Sequence, residues 1–208
     1  VCASYPTYDL DTFFEKYDEL IKDPLIPTYN RALLGMYPPG STYKMNMVVA
    51  GINAGTITSH STIYDAGKFT KYTHDGPTCL AYTNGSGSHG TINASEALKV
   101  SCNYFFYELG DKMHLKDIDS TAKALGLGEK TGVELYEEQG FRANEETKAA
   151  LYDGDLGVWA PGDQVAMSIG QSDNLFTPIQ LCAYVATLAN GGTRYKTHID
   201  IDCLCALI

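Results

Sequence analysis

The 208 residues read as an α+β protein that is predominantly helical, with few strands. Three patterns carry this expectation. Apolar residues recur at helical spacing in five separate stretches. Turn pairs such as Asp75-Gly76 and Asn84-Gly85 cut residues 53–93 into pieces too short for anything but strands or hairpins. Alternation of period two is confined to the end, where Ile199, Ile201 and Cys203 share a face.

Taken in order, the first helix begins at or just after Ser41. Pro38-Pro39-Gly40 cannot lie inside a helix, and beyond it Met45, Val48, Val49 and Ile52 form one apolar stripe. Residues 62–64 and 69–72 read as short strands. Helical runs follow at 94–100 and 104–109, separated by Ser101-Cys102-Asn103. The next helix, 118–125, starts at Asp117 or Asp119 and stops at Gly126 and Gly128. The last, 177–189, closes at Asn190-Gly191-Gly192, a left-handed stop. Residues 193–208 read as a strand. Length favours one domain or two small ones, and there is neither an internal repeat nor a low-complexity segment.

Composition narrows the function. Hydrophobic residues make up 44% and charged residues 19%, enough apolar material for a core and too little charge for a disordered tail. Fifteen Lys and Arg against 25 Asp and Glu give a net charge of -10, which phosphate backbones and anionic lipid repel, so nucleic acid is excluded as a partner. No apolar run reaches the roughly 20 residues that cross a bilayer. The chain opens Val1-Cys2-Ala3-Ser4, without Met, basic leader or signal core, and so reads as a piece of something longer. Six cysteines are too sparse for a disulfide scaffold and form no Cys-x-x-Cys pair. Cys203, Cys205 and His198 fall short of the four well-spaced ligands that structural zinc requires, so no metal and no cofactor is assigned.

The chemistry is concentrated in two motifs. In Pro39-Gly40-Ser41-Thr42-Tyr43-Lys44, Ser41 lies where backbone N–H groups are unpaired and the helix dipole is positive. Lys44 is one turn on, within reach of the Ser41 hydroxyl. A hydroxyl becomes a nucleophile only when a neighbouring base takes its proton, and a lysine can serve only if its pKa is lowered toward neutrality. Ser-x-x-Lys alone is weak evidence, since a chain of this length holds on the order of one by chance. Ser120 and Lys123 repeat it on an ordinary helix surface, with no turn to expose the serine. The second motif, Ser101-Cys102-Asn103, requires a break in the helical pattern, because residues two apart point the same way only in extended backbone.

With these motifs in place, the sequence resembles the transpeptidase domain of class B penicillin-binding proteins over nearly its whole length. Further blocks that carry the resemblance include Asp65-x-Gly67, His89-Gly90-Thr91-Ile92, Thr131-Gly132-Val133-Glu134-Leu135, Ile169-Gly170-Gln171 and Thr177-Pro178-Ile179-Gln180. The resemblance implies a partial transpeptidase domain over 1–208. Its fold would be the helical part of the serine β-lactamase-like fold, with most of the antiparallel sheet missing. Ser41 would form an acyl-enzyme with a D-Ala-D-Ala stem peptide or a β-lactam. Lys44 would deprotonate Ser41, Ser101 would relay a proton to the leaving group, and Asn103 would bind the substrate amide. The backbone N–H of Ser41 would supply half of an oxyanion hole.

The family's third motif, Lys-[Ser/Thr]-Gly, is missing from its expected place after Lys196. Lys130-Thr131-Gly132 matches the letters but precedes the Gly170-Gln171 block, and Ser172-Asp173-Asn174 is likewise out of order. Losing an oxyanion donor typically costs on the order of 100- to 1,000-fold in rate, so this chain is expected to acylate poorly. The resemblance also implies work at the outer face of the bacterial cell membrane, beyond an anchor that the chain lacks, alongside a membrane glycosyltransferase. Two other readings stay open: a non-catalytic module of the wall machinery, and a β-lactam sensor or serine β-lactamase.

Overall fold

The computed structural model describes residues 3–199. In chain order the elements are α1 (Tyr17–Leu20), a 3-10 turn (Gly40–Tyr43), α2 (Lys44–Asn53), β1 (Thr62–Asp65), α3 (Leu80–Thr83), β2 (Gly90–Asn93), α4 (Ala94–Lys99), α5 (Asn103–Lys112), α6 (Leu115–Ala124), α7 (Glu145–Leu151), a second 3-10 turn (Gly154–Gly157), α8 (Pro161–Met167) and α9 (Pro178–Ala189). Among the described residues the sheet is a single antiparallel pair, β1 with β2, in which Ile63 faces Ile92. The fold is thus mostly helical, as the sequence predicts.

The chain divides into two compact units. One comprises residues 38–125 and 141–175 and holds α2 to α8 with the sheet. Its core is a helix-on-helix layer in which α2 packs against α5 and α6, and α5 against α8. Phe105, Phe106 and Leu109 of α5 are fully buried with Met47 and Ala50 of α2 and Ile118 and Ala122 of α6. Local chemistry starts the helices where they start. Asn93 and Glu96 form a reciprocal capping box at α4, with bonds of 3.0 and 2.9 Å. Asn144 caps α7, and Pro161 opens α8. The other unit comprises residues 3–37, 126–140 and 176–199. There the buried Gln180 of α9 donates from Nε2 to the carbonyls of Glu129 and Gln139, at 3.0 and 2.7 Å. Buried Glu137 accepts from Thr131 N–H, Thr131 Oγ1 and Gly132 N–H.

Four expectations need correction. Residues 69–72 are not a strand. Beside them is only an isolated bridge, Lys68 with Thr78, and Phe69 is buried among the rings of Tyr72, Tyr104 and Tyr107, so side-chain packing holds the segment rather than a ladder. Helix α6 starts at Leu115, which leaves Asp117 in its first turn, where a carboxylate suits the dipole. Helices α1, α3, α7 and α8 are short and carry no long apolar stripe, which is why periodicity missed them. Residues 193–199 form no strand: Asn190 holds Thr193 N–H at 2.9 Å, and Thr197 N–H donates to Thr131 O. The remainder of that expected strand, 200–208, lies outside the described residues.

Candidate active site

Ser41 lies in the 3-10 turn ahead of α2, so the turn is tighter than the α-helical start expected from sequence, and the side chain is exposed. The turn is held from behind. Gly40, at φ +55°, donates its N–H to Gly170 O at 3.0 Å. The two backbones approach so closely that a Cβ on Gly170 would stand 2.1 Å from Gly40 O. This contact explains a glycine at 170 and fixes the hydroxyl's position.

Lys44, the first residue of α2, is only 1% exposed. Its ammonium donates to Ser101 O at 2.9 Å, Ser101 Oγ at 3.0 Å and Asn103 Oδ1 at 2.6 Å, and lies over the Phe106 ring. Burial lowers its pKa from 10.5 to about 8, against opposing charge effects of Cys102 and Cys79. Ser101 Oγ in turn donates to Ser41 Oγ at 2.9 Å. The four residues singled out from sequence, Ser41, Lys44, Ser101 and Asn103, therefore meet in one hydrogen-bonded group. One detail differs from expectation: Lys44 bonds to Ser101, and Ser101 to Ser41, so the link from the amine to the Ser41 hydroxyl passes through a second hydroxyl.

The sequence reading required a break in the helical pattern between Val100 and Tyr104, and Cys102, between the two polar residues, is extended, with φ -64° and ψ 111°. What it did not foresee is that Ser101 is left-handed, with φ +52°. Ser101 N–H bonds Leu98 O and Cys102 N–H bonds Ala97 O, the paired closure that ends a helix at a left-handed residue. Glycine is the usual occupant of that position. A serine there carries strain of order 1–3 kcal/mol, and its side chain joins Lys44 to Ser41. Cys102 then caps α5, its Sγ accepting from Phe105 N–H at 3.5 Å.

The three look-alike motifs are engaged locally. Ser120 bonds a carbonyl of its own helix. Thr131 is tied to Glu137, and Lys130 lies over the Tyr136 ring, in the unit that does not contain Ser41. Asn174 is buried between Ala143 N–H and Gln171 O.

A further group was not legible in the sequence. Asp65, Cys79, His89 and Cys102 bring their ligand atoms within 4.8 Å of one another. Asp65 Oδ2 stands 2.8 Å from His89 Nδ1 and accepts from the Cys102 thiol at 3.3 Å; Cys79 Sγ is 3.5 Å from His89 Nδ1. Burial pushes the Asp65 carboxyl up, but hydrogen bonds from His89 and Gly67 outweigh it and hold the group below its ordinary pKa. Burial pushes the Cys102 thiol well up. Two sulfurs, an imidazole and a carboxylate suit a borderline-soft, tetrahedral divalent ion such as Zn²⁺. The sequence reading assigned no metal ligands because these four stand 10 to 14 positions apart on separate elements, with no local spacing to mark them. Of the residues it weighed for zinc, Cys203 and Cys205 lie outside the described residues.

Comparison with known proteins places these features in a lineage. Residues 1–201 match the penicillin-binding protein transpeptidase domain. The peptidoglycan D,D-transpeptidase MrdA of Salmonella typhimurium is 30% identical over 207 residues, which cover 96% of this chain and 32% of that protein. The chain thus spans about a third of the length of the curated relatives it matches. Among solved structures, PBP2 of Pseudomonas aeruginosa superposes with a TM-score of 0.84 at 30% identity, covering 94% of this chain and 44% of that one. PBP2 of Helicobacter pylori, in its complex with MreC, gives 0.86 at 29%, covering 97% and 38%.

Proposed function

The chain belongs to the penicillin-binding protein transpeptidase family, and from that premise we propose that Ser41 is the nucleophile of a D,D-transpeptidation. The substrate would be a peptidoglycan stem peptide ending in D-Ala-D-Ala, and β-lactams would acylate the same hydroxyl. The observation that carries this proposal is the continuous hydrogen-bonded line from Lys44 through Ser101 to Ser41.

With Lys44 charged, the line runs from the ammonium to Ser101 and from Ser101 to Ser41. When Lys44 loses its proton the polarity reverses: Ser41 donates to Ser101, and Ser101 donates to the neutral amine. Attack of Ser41 Oγ on the substrate carbonyl then moves its proton along this line, and Ser101 returns a proton to the departing D-Ala amine. A pKa of about 8 makes the neutral amine accessible near physiological pH. Asn103 Oδ1 holds the Lys44 nitrogen in line, and the Asn103 side chain also bonds the Tyr107 hydroxyl; its remaining amide N–H is the one for the substrate backbone. The Ser41 N–H, in the first turn of a helical segment, supplies one oxyanion donor.

The only Lys-Thr-Gly in the sequence has its threonine engaged by Glu137, so this chain on its own lacks a recognisable source for the second donor and acylates slowly. Because peptidoglycan lies outside the cytoplasmic membrane, the activity belongs at that face. No described helix is long and apolar enough to cross a membrane. A membrane glycosyltransferase is the partner this reading calls for; a related solved structure concerns a peptidoglycan synthase complex that coordinates polymerization and crosslinking.

Intact-mass spectrometry after incubation with penicillin tests the proposal. A slow adduct mapping to the Ser41 peptide, and lost in Ser41→Ala, is expected. No adduct at saturating drug, or one that survives Ser41→Ala, would overturn the acyl-serine reading. Fast stoichiometric labelling would overturn only the impairment.

A further inference from the structure

Acyl transfer makes no use of a cavity of about 140 Å³ between α5 and α8. Its walls are the rings of Phe69, Tyr72 and Tyr107, from the segment after β1 and from α5, with Val165 and Ile169 from α8 and the residues that follow it. These walls are held in place. The Phe69 ring centre lies 6.2 and 6.0 Å from those of Tyr72 and Tyr107. Gln164 of α8 donates from Nε2 to Gly110 O and Met113 O, at 2.6 and 2.8 Å, which ties α8 to the end of α5. The Tyr72 hydroxyl is engaged by Asp111 and the Tyr107 hydroxyl by Asn103, so both tyrosines offer the cavity carbon. Among the described residues that line it, none is charged.

Size and lining select the guest. Sites for drug-sized molecules measure roughly 300–1,000 Å³, whereas an apolar cavity of about 150 Å³ takes one benzene ring. An ion would give up its hydration here with no countercharge in return, and ring walls favour an aromatic guest packed offset or edge-to-face. Position selects the consequence. Tyr107 lies one helical turn beyond Asn103 on the same face of α5. Ile169 and Gln171, which also line the cavity, flank Gly170, whose backbone braces the Ser41 turn. A guest packed on the Tyr107 ring would leave it no space to turn away from Asn103.

We infer that this cavity is a binding site for a single uncharged aromatic ring, and that its occupant holds Tyr107 against Asn103 and thereby steadies the group around Lys44. The ring acts only through its preference for the Tyr107 position that bonds Asn103. Its effect on acylation rests on the reading of Ser41 as the nucleophile, whereas its binding does not.

Fluorobenzene is the probe, titrated into the chain and into Ser41→Ala and followed by NMR. Saturable binding at about 1 mM or tighter is expected in both, with Overhauser contacts to the Val165 and Ile169 methyl groups and a shift of the Asn103 side-chain amide signals. Benzoate, a charged ring, should bind at least tenfold more weakly. Gly162 also lines the cavity, and a Cβ there meets nothing within 4 Å, so Gly162→Leu should fold, fill the space and abolish binding. Tyr107→Phe keeps the ring and drops the hydroxyl. It should bind fluorobenzene with wild-type affinity while the Asn103 shift disappears, an outcome that a merely structural tyrosine would not give. Saturating fluorobenzene should also raise penicillin acylation about twofold or more in the wild type, and leave Tyr107→Phe unchanged. Absence of binding, binding without the Val165 and Ile169 contacts, equal affinity for benzoate, binding that survives Gly162→Leu, or an unmoved Asn103 amide would each overturn the inference. An unchanged rate of Ser41 acylation would overturn its link to catalysis. A chain that binds the ring as expected yet never acylates would refute the Ser41 reading and leave the aromatic site standing.

Discussion

Replacing Asn103 with aspartate should make the protein more stable and less reactive at once. The change is nearly isosteric and puts a carboxylate where an amide oxygen now lies 2.6 Å from the Lys44 nitrogen. At a pKa of about 8, roughly 9% of Lys44 is neutral at pH 7, against about 0.03% at the ordinary 10.5. An adjacent carboxylate raises a lysine pKa by about 1–3 units, so the neutral fraction, and the acylation rate with it, should fall about 10- to 1,000-fold at pH 7. Stability moves the other way. Because the native pKa is lowered, the unfolded chain binds more protons between about pH 8 and 10.5, so wild-type stability rises across that window and carries a constant penalty below it. The new ion pair relieves part of the penalty, a gain of order 1 kcal/mol after the cost of desolvating the carboxylate. Acylation by a fluorescent penicillin, followed between about pH 6 and 10, reads the first effect, and urea denaturation at pH 7 and 10 reads the second. The wild-type rate should rise to a plateau above about pH 8, with the variant's rise displaced upward. An unchanged profile in Asn103→Asp would show that Lys44 is not the base.

Two further substitutions probe the scaffold. Gly170→Ala places a methyl group 2.1 Å from Gly40 O at a residue with φ +76°, so the Ser41 turn must shift. Acylation should fall at least tenfold with a stability loss of about 1–3 kcal/mol, and retained acylation would remove the Gly40–Gly170 contact from the account of the site. Glu137→Ala leaves Thr131 N–H, Thr131 Oγ1 and Gly132 N–H without their acceptor. It should cost about 2–4 kcal/mol in chemical denaturation, and a loss under 0.5 kcal/mol would show that water replaces the carboxylate without penalty.

How much could be read in advance depended on how local each signal is. Ser41 and Lys44 were legible because a proline-forced turn and one helical step set both positions within four residues. Ser101 and Asn103 were legible as a polar break between two apolar runs, though not their conformation. The extended backbone expected there is present at Cys102, but the left-handed serine through which the chain closes α4 was not foreseen. Strand 69–72 failed because an aromatic cluster, drawn partly from α5, outcompeted a β ladder.

The order of residues along the chain determined the mostly helical fold, the turn that presents Ser41 and the choice of four polar residues, because each rests on hydrogen bonds or periodicities that span a few positions. Folding alone decided that Lys44 reaches Ser41 by way of Ser101, that Gly170 braces the Ser41 turn, and that Asp65, Cys79, His89 and Cys102 converge. Those facts depend on side chains 10 to 130 positions apart meeting within a few ångströms, and burial, which lowers the Lys44 pKa and brings the thiols together, exists only once the helices have packed.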